Sequence, residues 1–270
     1  MEKRFRNEYF LLFIVLLLLP SISSAKIKNY EEAWQTTIKS KYFGDKTIEE
    51  SSNIIELTAP VRAEDPALVP IQITSKISQT KDRYIKTITL IIDNNPEPFS
   101  AAFHFTPDIG KADLAMRVRV NAYTNIRAIA ELNDGTLSMH KVFIKASGGC
   151  SAPLGADLDA AMKRLGKMKF RLDGSVYTEK PTLTRLLISH PNITGMQMDQ
   201  VSRRYTPAHY VKEVKISFNG KEVMTAETDI AISADPNFRF YFVPDGAGEL
   251  KAEIVDSKGM SFVETYQVKP

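Results

Sequence analysis

The sequence has little cysteine, little histidine and little net charge, and each shortage excludes a class of function. Its single cysteine, Cys150, cannot form a disulfide within the chain. The four histidines, His104, His140, His190 and His209, lack the spacing of a metal site, so we expect no bound metal. We expect His104 and His140 to be hydrogen-bonded or solvent-facing residues on strands. A formal net charge of +3 is too small to indicate nucleic-acid binding.

Signatures of hydrolytic enzymes are also missing. The sequence contains no Gly-x-Ser-x-Gly elbow, and no Cys/His protease signature surrounds Cys150. A nucleophile needs a base that a rigid frame holds within hydrogen-bonding distance, and two glycines precede this thiol. The sequence therefore predicts a protein that is not an enzyme and needs no cofactor.

The N-terminus predicts an export signal over residues 1–25. Basic residues precede an apolar run at 9–20, and small residues in a cleavage pattern follow at 23–25. The apolar run is shorter than the ~20 residues of a membrane span, so we expect no stable membrane anchor. The mature chain is predicted to begin near Lys26 in the periplasm.

The mature chain opens with a predicted helix. Asn29 can cap its start and Gly44 can end it. Tyr30, Trp34 and Ile38 fall on one helical face, which indicates packing on a sheet.

From residue 54 onward, short runs with a period of two predict strands separated by turn residues. Hairpins are expected around Asn133-Asp134-Gly135 and Asn219-Gly220, because these residues tolerate positive φ. Arg117 and Arg119 alternate with apolar neighbours, as on a strand with one buried face. The predicted fold class is mainly β, with two immunoglobulin-like β-sandwich domains joined by a helix-containing linker. The predicted boundaries are 26–150, 151–185 for the linker and 186–270.

Cys150 follows the two glycines Gly148 and Gly149 at the end of a predicted strand. We expect this thiol to lie on an exposed, flexible arm, with the glycines as its hinge, because such an arm suits a carrier that visits several enzymes. Basic residues nearby in sequence could stabilise a thiolate if the fold brings them close: Lys145, Lys163 and Arg164.

Several longer stretches resemble a known pair of proteins. The first half is similar to SoxY, the sulfur-carrier subunit of the thiosulfate-oxidising system, at 57–73, 90–105 and the "SGGC" of 147–150. The second half resembles its partner subunit SoxZ, at "HPNITG" (190–195) and the strands that follow. The joining segment is similar to that of fused SoxYZ-like carriers associated with quinoprotein dehydrogenases.

The resemblance implies two packed immunoglobulin-like sandwiches, with sulfur cargo bound covalently to Cys150. It also implies periplasmic partners that receive the arm: c-type cytochromes, sulfur-processing enzymes and a quinoprotein dehydrogenase. One feature departs from the family, in which the cysteine lies almost at a free C-terminus. Here Ser151, Ala152 and Pro153 and a predicted helix follow it, so the arm is a loop tethered at both ends.

Two other interpretations stay open. The chain could be an immunoglobulin-like accessory protein of a quinoprotein alcohol dehydrogenase system without covalent cargo. Its candidate contact loop for a partner is then "HPNITG", with His190, Pro191, Thr194 and Gly195. Alternatively, Cys150 could join two chains through a disulfide.

Overall fold

The computed structural model describes residues 29–153, 158–199 and 202–269. The predicted signal at 1–25 and the predicted mature N-terminus, Lys26, lie outside these residues. Within them, no helix has both the length and the apolar character needed to cross a membrane.

The predicted N-terminal helix is present. A π-helical turn at Trp34–Ile38 continues into α1 (Lys39–Phe43). The Asn29 side chain accepts a hydrogen bond from the Glu31 amide, and the helix ends at Gly44, whose φ is +58°. Trp34 and Ile38 are buried at 6% and 3% exposure, so the predicted apolar face packs against the sheet.

Strands make up most of the remaining regular secondary structure in the described chain. The first half contains β1 (Ile48–Glu50), β2 (Ile55–Thr58), β3 (Val69–Ser75), β4 (Ile85–Ile92), β5 (Phe99–Phe105), a 3-10 turn (Pro107–Ile109), β6 (Leu114–Val118), β7 (Thr124–Leu132) and β8 (Leu137–Ile144). The second half contains α2 (Leu158–Lys163), β9 (Met168–Asp173), β10 (Thr182–Ile188), β11 (Val211–Phe218), β12 (Lys221–Thr228), β13 (Asn237–Phe242), β14 (Gly248–Asp256) and β15 (Ser261–Val268).

These strands form two facing sheets. The larger sheet has the order β1-β8-β7-β4-β5-β12-β11-β14-β15, and the smaller has the order β2-β3-β6-β13-β10-β9. Each half of the chain contributes strands to both sheets and thereby forms a sandwich of its own. The predicted mainly-β class with two immunoglobulin-like sandwiches is confirmed.

The two sandwiches are joined edge to edge. In the larger sheet β5 pairs antiparallel with β12, and in the smaller sheet β6 meets β13 at Ala115 and Arg239. Because this pairing satisfies the backbone groups of strands that would otherwise be sheet edges, it also fixes the register of the two halves. One hydrophobic core runs through both of them.

Turn chemistry explains the local connections. The β7–β8 hairpin turns at Asn133-Asp134-Gly135, and the β11–β12 hairpin turns at Asn219 and Gly220, with φ of +47° and +77°. The helix expected in the linker is α2, although none of its residues is buried. β9 lies within the predicted linker range of 151–185 and pairs along β10. The exact domain boundaries stay a prediction.

Candidate functional site

Cys150 lies in the interior of the molecule. Its exposed fraction is 0%, so the prediction of an exposed thiol is wrong. The reason is that the chain after β8 does not leave the surface but runs back along the end of β6. The amide of Gly148 donates to the carbonyl of Asn121 at 2.9 Å, and that of Gly149 donates to Val120 at 3.0 Å.

The two glycines before the thiol have different environments. Gly148 has φ of +80° and open space where a Cβ would lie, so it provides the turn. A Cβ on Gly149 would lie 2.0 Å from the carbonyl oxygen of Pro66 and 2.6 Å from that of Val120. Gly149 is therefore required for close backbone packing, a constraint that the expectation of a simple hinge did not include.

The "HPNITG" segment covers the same site from the second half of the chain. His190, Pro191 and Thr194 are buried, and Gly195 is half-buried. The Thr194 hydroxyl lies 2.6 Å from the carbonyl oxygen of Cys150. That this segment offers a contact loop to a separate protein stays a prediction; in the structure, its Thr194 contacts the thiol segment of its own chain.

Arg119 is the charged residue beside the thiol segment. β6 ends at Val118, and Arg119 is only 4% exposed because the second half of the chain covers it. Its guanidinium donates through Nη1 to the carbonyl of Gly149 at 3.3 Å and through Nη2 to that of Asn192 at 3.4 Å. The solvent-facing position predicted from the alternating pattern is therefore wrong for Arg119.

Burial controls the acidity of the thiol. Desolvation raises the pKa of Cys150 from 9.0 to about 11, and the positive charge of Arg119 opposes that rise. The basic residues proposed for this role from the sequence do not supply it. Lys145 and Lys163 are exposed, and Arg164 faces Asp235 at 3.8 Å. The thiol is consequently protonated and unreactive in this arrangement.

Two of the four histidines come together, which the sequence spacing did not predict. His190, His209 and Asp256 are all buried, with ligand-type atoms within 4.8 Å of one another. His209 Nε2 lies 2.8 Å from Asp256 Oδ2. His190 Nδ1 accepts the amide of Asn192, so the neutral ring carries its proton on Nε2, the nitrogen 3.7 Å from Asp256. That proton occupies the lone pair that a cation would need.

His190, one of the two histidines of this cluster, is held in its neutral form. Burial, followed by the neighbouring His209, lowers the pKa of His190 from 6.5 to about 4. Burial alone would raise the pKa of Asp256, but hydrogen bonds from His209 and from the amides of Met260 and Lys258 lower it. The other two histidines are hydrogen-bonded on strands, as predicted: His140 accepts the Leu57 amide and His104 bonds Thr87.

Comparison with protein families divides the chain at this site. Residues 39–150 match the model of the sulfur oxidation protein SoxY, and residues 171–267 match that of the sulphur oxidation protein SoxZ. The first match ends at Cys150. The second begins within β9 and includes His190, Thr194 and the rest of the segment that covers the thiol.

Solved structures show weaker similarity. The sulfur carrier protein SoxY from Chlorobium limicola f thiosulfatophilum is 22% identical over 43% of this chain and 95% of that one, with a TM-score of 0.36. A superoxide reductase (neelaredoxin) from Ignicoccus hospitalis is 16% identical over 34% and 79%, with a TM-score of 0.31. Fibronectin(III)-like modules of Clostridium thermocellum CbhA are 12% identical over 80% and 94%, with a TM-score of 0.23.

None of the curated proteins matches the chain. The two family matches nevertheless follow each other in one polypeptide, in the order expected from the resemblance, and together they include both sides of the thiol site. The chain therefore belongs to the SoxY and SoxZ families, with a SoxY domain followed by a SoxZ domain in a fused SoxYZ-like protein.

Proposed function

We propose that this protein is a periplasmic, non-enzymatic carrier that holds a sulfur-containing intermediate covalently on Cys150. The observation that carries the proposal is the coincidence of the family boundary with the only thiol: the SoxY match ends at Cys150. Both matched families are sulfur-oxidation proteins of the carrier or accessory type.

Because Cys150 is buried, a carrier function requires a second arrangement in which its thiol is exposed. In the closed one, described above, the thiol segment lies between the end of β6 and the "HPNITG" segment. In the open one, the hydrogen bonds of Gly148, Gly149 and Cys150 to these neighbours are broken and the thiol reaches solvent. Loading and unloading take place in the open arrangement, and the closed one shields the cargo from water and stray thiols.

The loading step is an oxidation. With thiosulfate as cargo, the thiol of Cys150 loses its proton, an S–S bond forms between Sγ and the outer sulfur, and two electrons leave. The proposed acceptor of these two electrons is a c-type cytochrome partner. A partner enzyme that hydrolyses the bond between the outer sulfur and the sulfonate sulfur would release sulfate and leave a persulfide on Cys150.

Intact-mass measurement tests the covalent cargo. The protein purified from cells oxidising reduced sulfur compounds should carry an adduct that dithiothreitol removes. Cys150→Ser is the matched control and should have the bare mass under the same conditions. A wild-type mass equal to the bare chain, with active partner enzymes present, contradicts the carrier function.

The cellular setting is part of the proposal. We expect a mature N-terminus near Lys26 and recovery in the periplasmic fraction, which N-terminal sequencing of fractionated cells measures. Association with a quinoprotein dehydrogenase predicts co-purification of the two proteins. If that association persists in Cys150→Ser while no adduct is ever found, the accessory role replaces the carrier role. A chain recovered only as a disulfide-linked dimer on non-reducing gels also contradicts the carrier function.

A further inference from the structure

No carboxylate lies within salt-bridge distance of the Arg119 guanidinium among the described residues, and Asp65 acts on its charge only from farther away. The side chain is 4% exposed, its two recorded hydrogen bonds go to neutral carbonyl groups, and its Nε has no partner. Among the described residues it forms no ion pair. An unpaired buried charge is costly, so proteins normally pair such groups.

Arg127 in the same domain shows the usual arrangement. It is fully buried, donates to both carboxylate oxygens of Asp93 at 2.8–3.0 Å, and reaches Glu31 at 2.6 Å. The fold can therefore supply carboxylates to a buried guanidinium. At Arg119 it supplies instead the segment that bears the only thiol of the chain.

A second buried donor without a partner belongs to Gln197, which contacts Thr194 of the second domain. Gln197 is 1% exposed, its Oε1 accepts the Thr194 amide at 2.8 Å, and its Nε2 has no partner. The Thr194 hydroxyl lies 2.6 Å from the carbonyl oxygen of Cys150 and 2.7 Å from Gln197 Oε1. Two buried N–H groups without acceptors thus belong to residues that hold the thiol segment, one from each domain: Arg119 bonds Gly149 directly, and Gln197 bonds Thr194, which bonds Cys150.

We propose that Arg119 and Gln197 form an anion-binding pocket for the cargo, in which their free N–H groups bind oxygen atoms of a sulfonate-type group attached to Cys150. The pocket rests on the proposed carrier function and makes it specific: the closed arrangement favours an anionic adduct and disfavours a neutral one. The anion satisfies both donors and balances the charge of Arg119. A neutral adduct leaves that charge unpaired.

Two adducts with the same kind of bond test the pocket on the full mature chain. Tetrathionate converts the Cys150 thiolate into a thiosulfonate adduct: an S–S bond forms, the central S–S bond breaks and thiosulfate leaves. Methyl methanethiosulfonate gives a neutral methyl disulfide, and methanesulfinate leaves. Neither exchange needs an external oxidant. Because Cys150 is the only thiol, each adduct is homogeneous.

The measurement is the rate at which dithiothreitol removes each adduct, divided by the rate for the same adduct on the peptide of residues 145–155. This ratio reports how strongly the closed arrangement protects the cargo. A charge-assisted hydrogen bond in a buried site changes an equilibrium by about tenfold to a hundredfold. We expect this ratio to be about tenfold to a hundredfold smaller for the thiosulfonate than for the methyl disulfide.

Three variants assign the effect to residues. Arg119→Gln should remove most of the difference between the two adducts, and Gln197→Leu should remove part of it. Lys145→Gln is the matched control, because it removes an exposed positive charge close in sequence and should leave the difference unchanged. A difference that persists in Arg119→Gln overturns the role of Arg119.

The wild-type comparison is decisive even where a variant does not fold. Equal protection of the two adducts in the wild-type chain overturns the pocket. The failures of the two proposals are also distinguishable. Anion-selective protection in a protein that never carries an adduct in cells leaves the pocket and refutes the carrier function. A cellular adduct without anion-selective protection refutes the pocket and leaves the carrier function.

Discussion

The burial of Cys150 predicts slow alkylation with an unusual pH dependence. With a pKa of about 11 in place of 9.0, the thiolate fraction at pH 7.5 falls from about 3 × 10⁻² to about 3 × 10⁻⁴. Ionisation alone therefore slows the reaction roughly a hundredfold, and the closed arrangement slows it further. The rate should also rise about tenfold per pH unit well beyond pH 9, because the closed thiol stays protonated there.

The assay is pseudo-first-order modification by iodoacetamide between pH 6.5 and 10.5, followed by intact mass after full reduction. The same chain unfolded in urea is the reference, and its rate should be half-maximal near pH 9 and level off above about pH 10. A folded rate within about threefold of the reference at pH 7.5 would refute the reasoning. So would a folded profile that is half-maximal near pH 9, since an exposed thiol behaves in that way.

Three further perturbations follow from the structure. Gly149→Ala should displace the thiol segment, lower stability by about 1–3 kcal/mol and speed alkylation, whereas Gly148→Asn, at an open position with positive φ, should leave the alkylation rate nearly unchanged. The lowered pKa of His190 predicts that the free energy of unfolding decreases as pH falls from about 6.5 to 4, because the unfolded chain binds a proton at a higher pH than the folded chain. The decrease should reach about 3 kcal/mol in urea titrations and should be smaller in a His190→Gln variant. Arg127→Met should cost about 3–5 kcal/mol by leaving Asp93 buried without its partner, and adding Asp93→Asn should recover part of it; an unchanged urea midpoint would contradict this.

Much of the fold could be predicted from the sequence because its determinants are local. Period-two runs indicate strands, and Asn133-Asp134-Gly135 and Asn219-Gly220 specify their hairpins. The stripe of Trp34 and Ile38 marks a helix that packs on a sheet. The joining of the two sandwiches through β5 and β12 could not be predicted in this way, because no local pattern says which edge strands meet.

The candidate site depends on contacts that are distant in sequence. Arg119 alternates with valines as a solvent-facing residue would, and its burial comes from a partner segment of the second domain. The hydroxyl of Thr194 reaches Cys150 across 44 residues. His209 and Asp256 are 47 residues apart. The order of the two domain resemblances was the available signal, since it implied that one face of the first domain is covered by the second.

The tether behind Cys150 and its burial together limit how the carrier can work. Opening the segment breaks the hydrogen bonds of Gly148, Gly149 and Cys150 to their neighbours and that of Arg119 to Gly149, four in all. At roughly 0.5–1.5 kcal/mol each, their loss costs about 2–6 kcal/mol. Between about one molecule in thirty and one in thirty thousand is then open at any moment. A partner that binds only the open arrangement loses affinity by that factor, unless it makes new contacts with the tethered loop. An anionic cargo that strengthens the closed arrangement makes this penalty larger, so release of the loaded thiol must depend on the partner's own interactions with the loop.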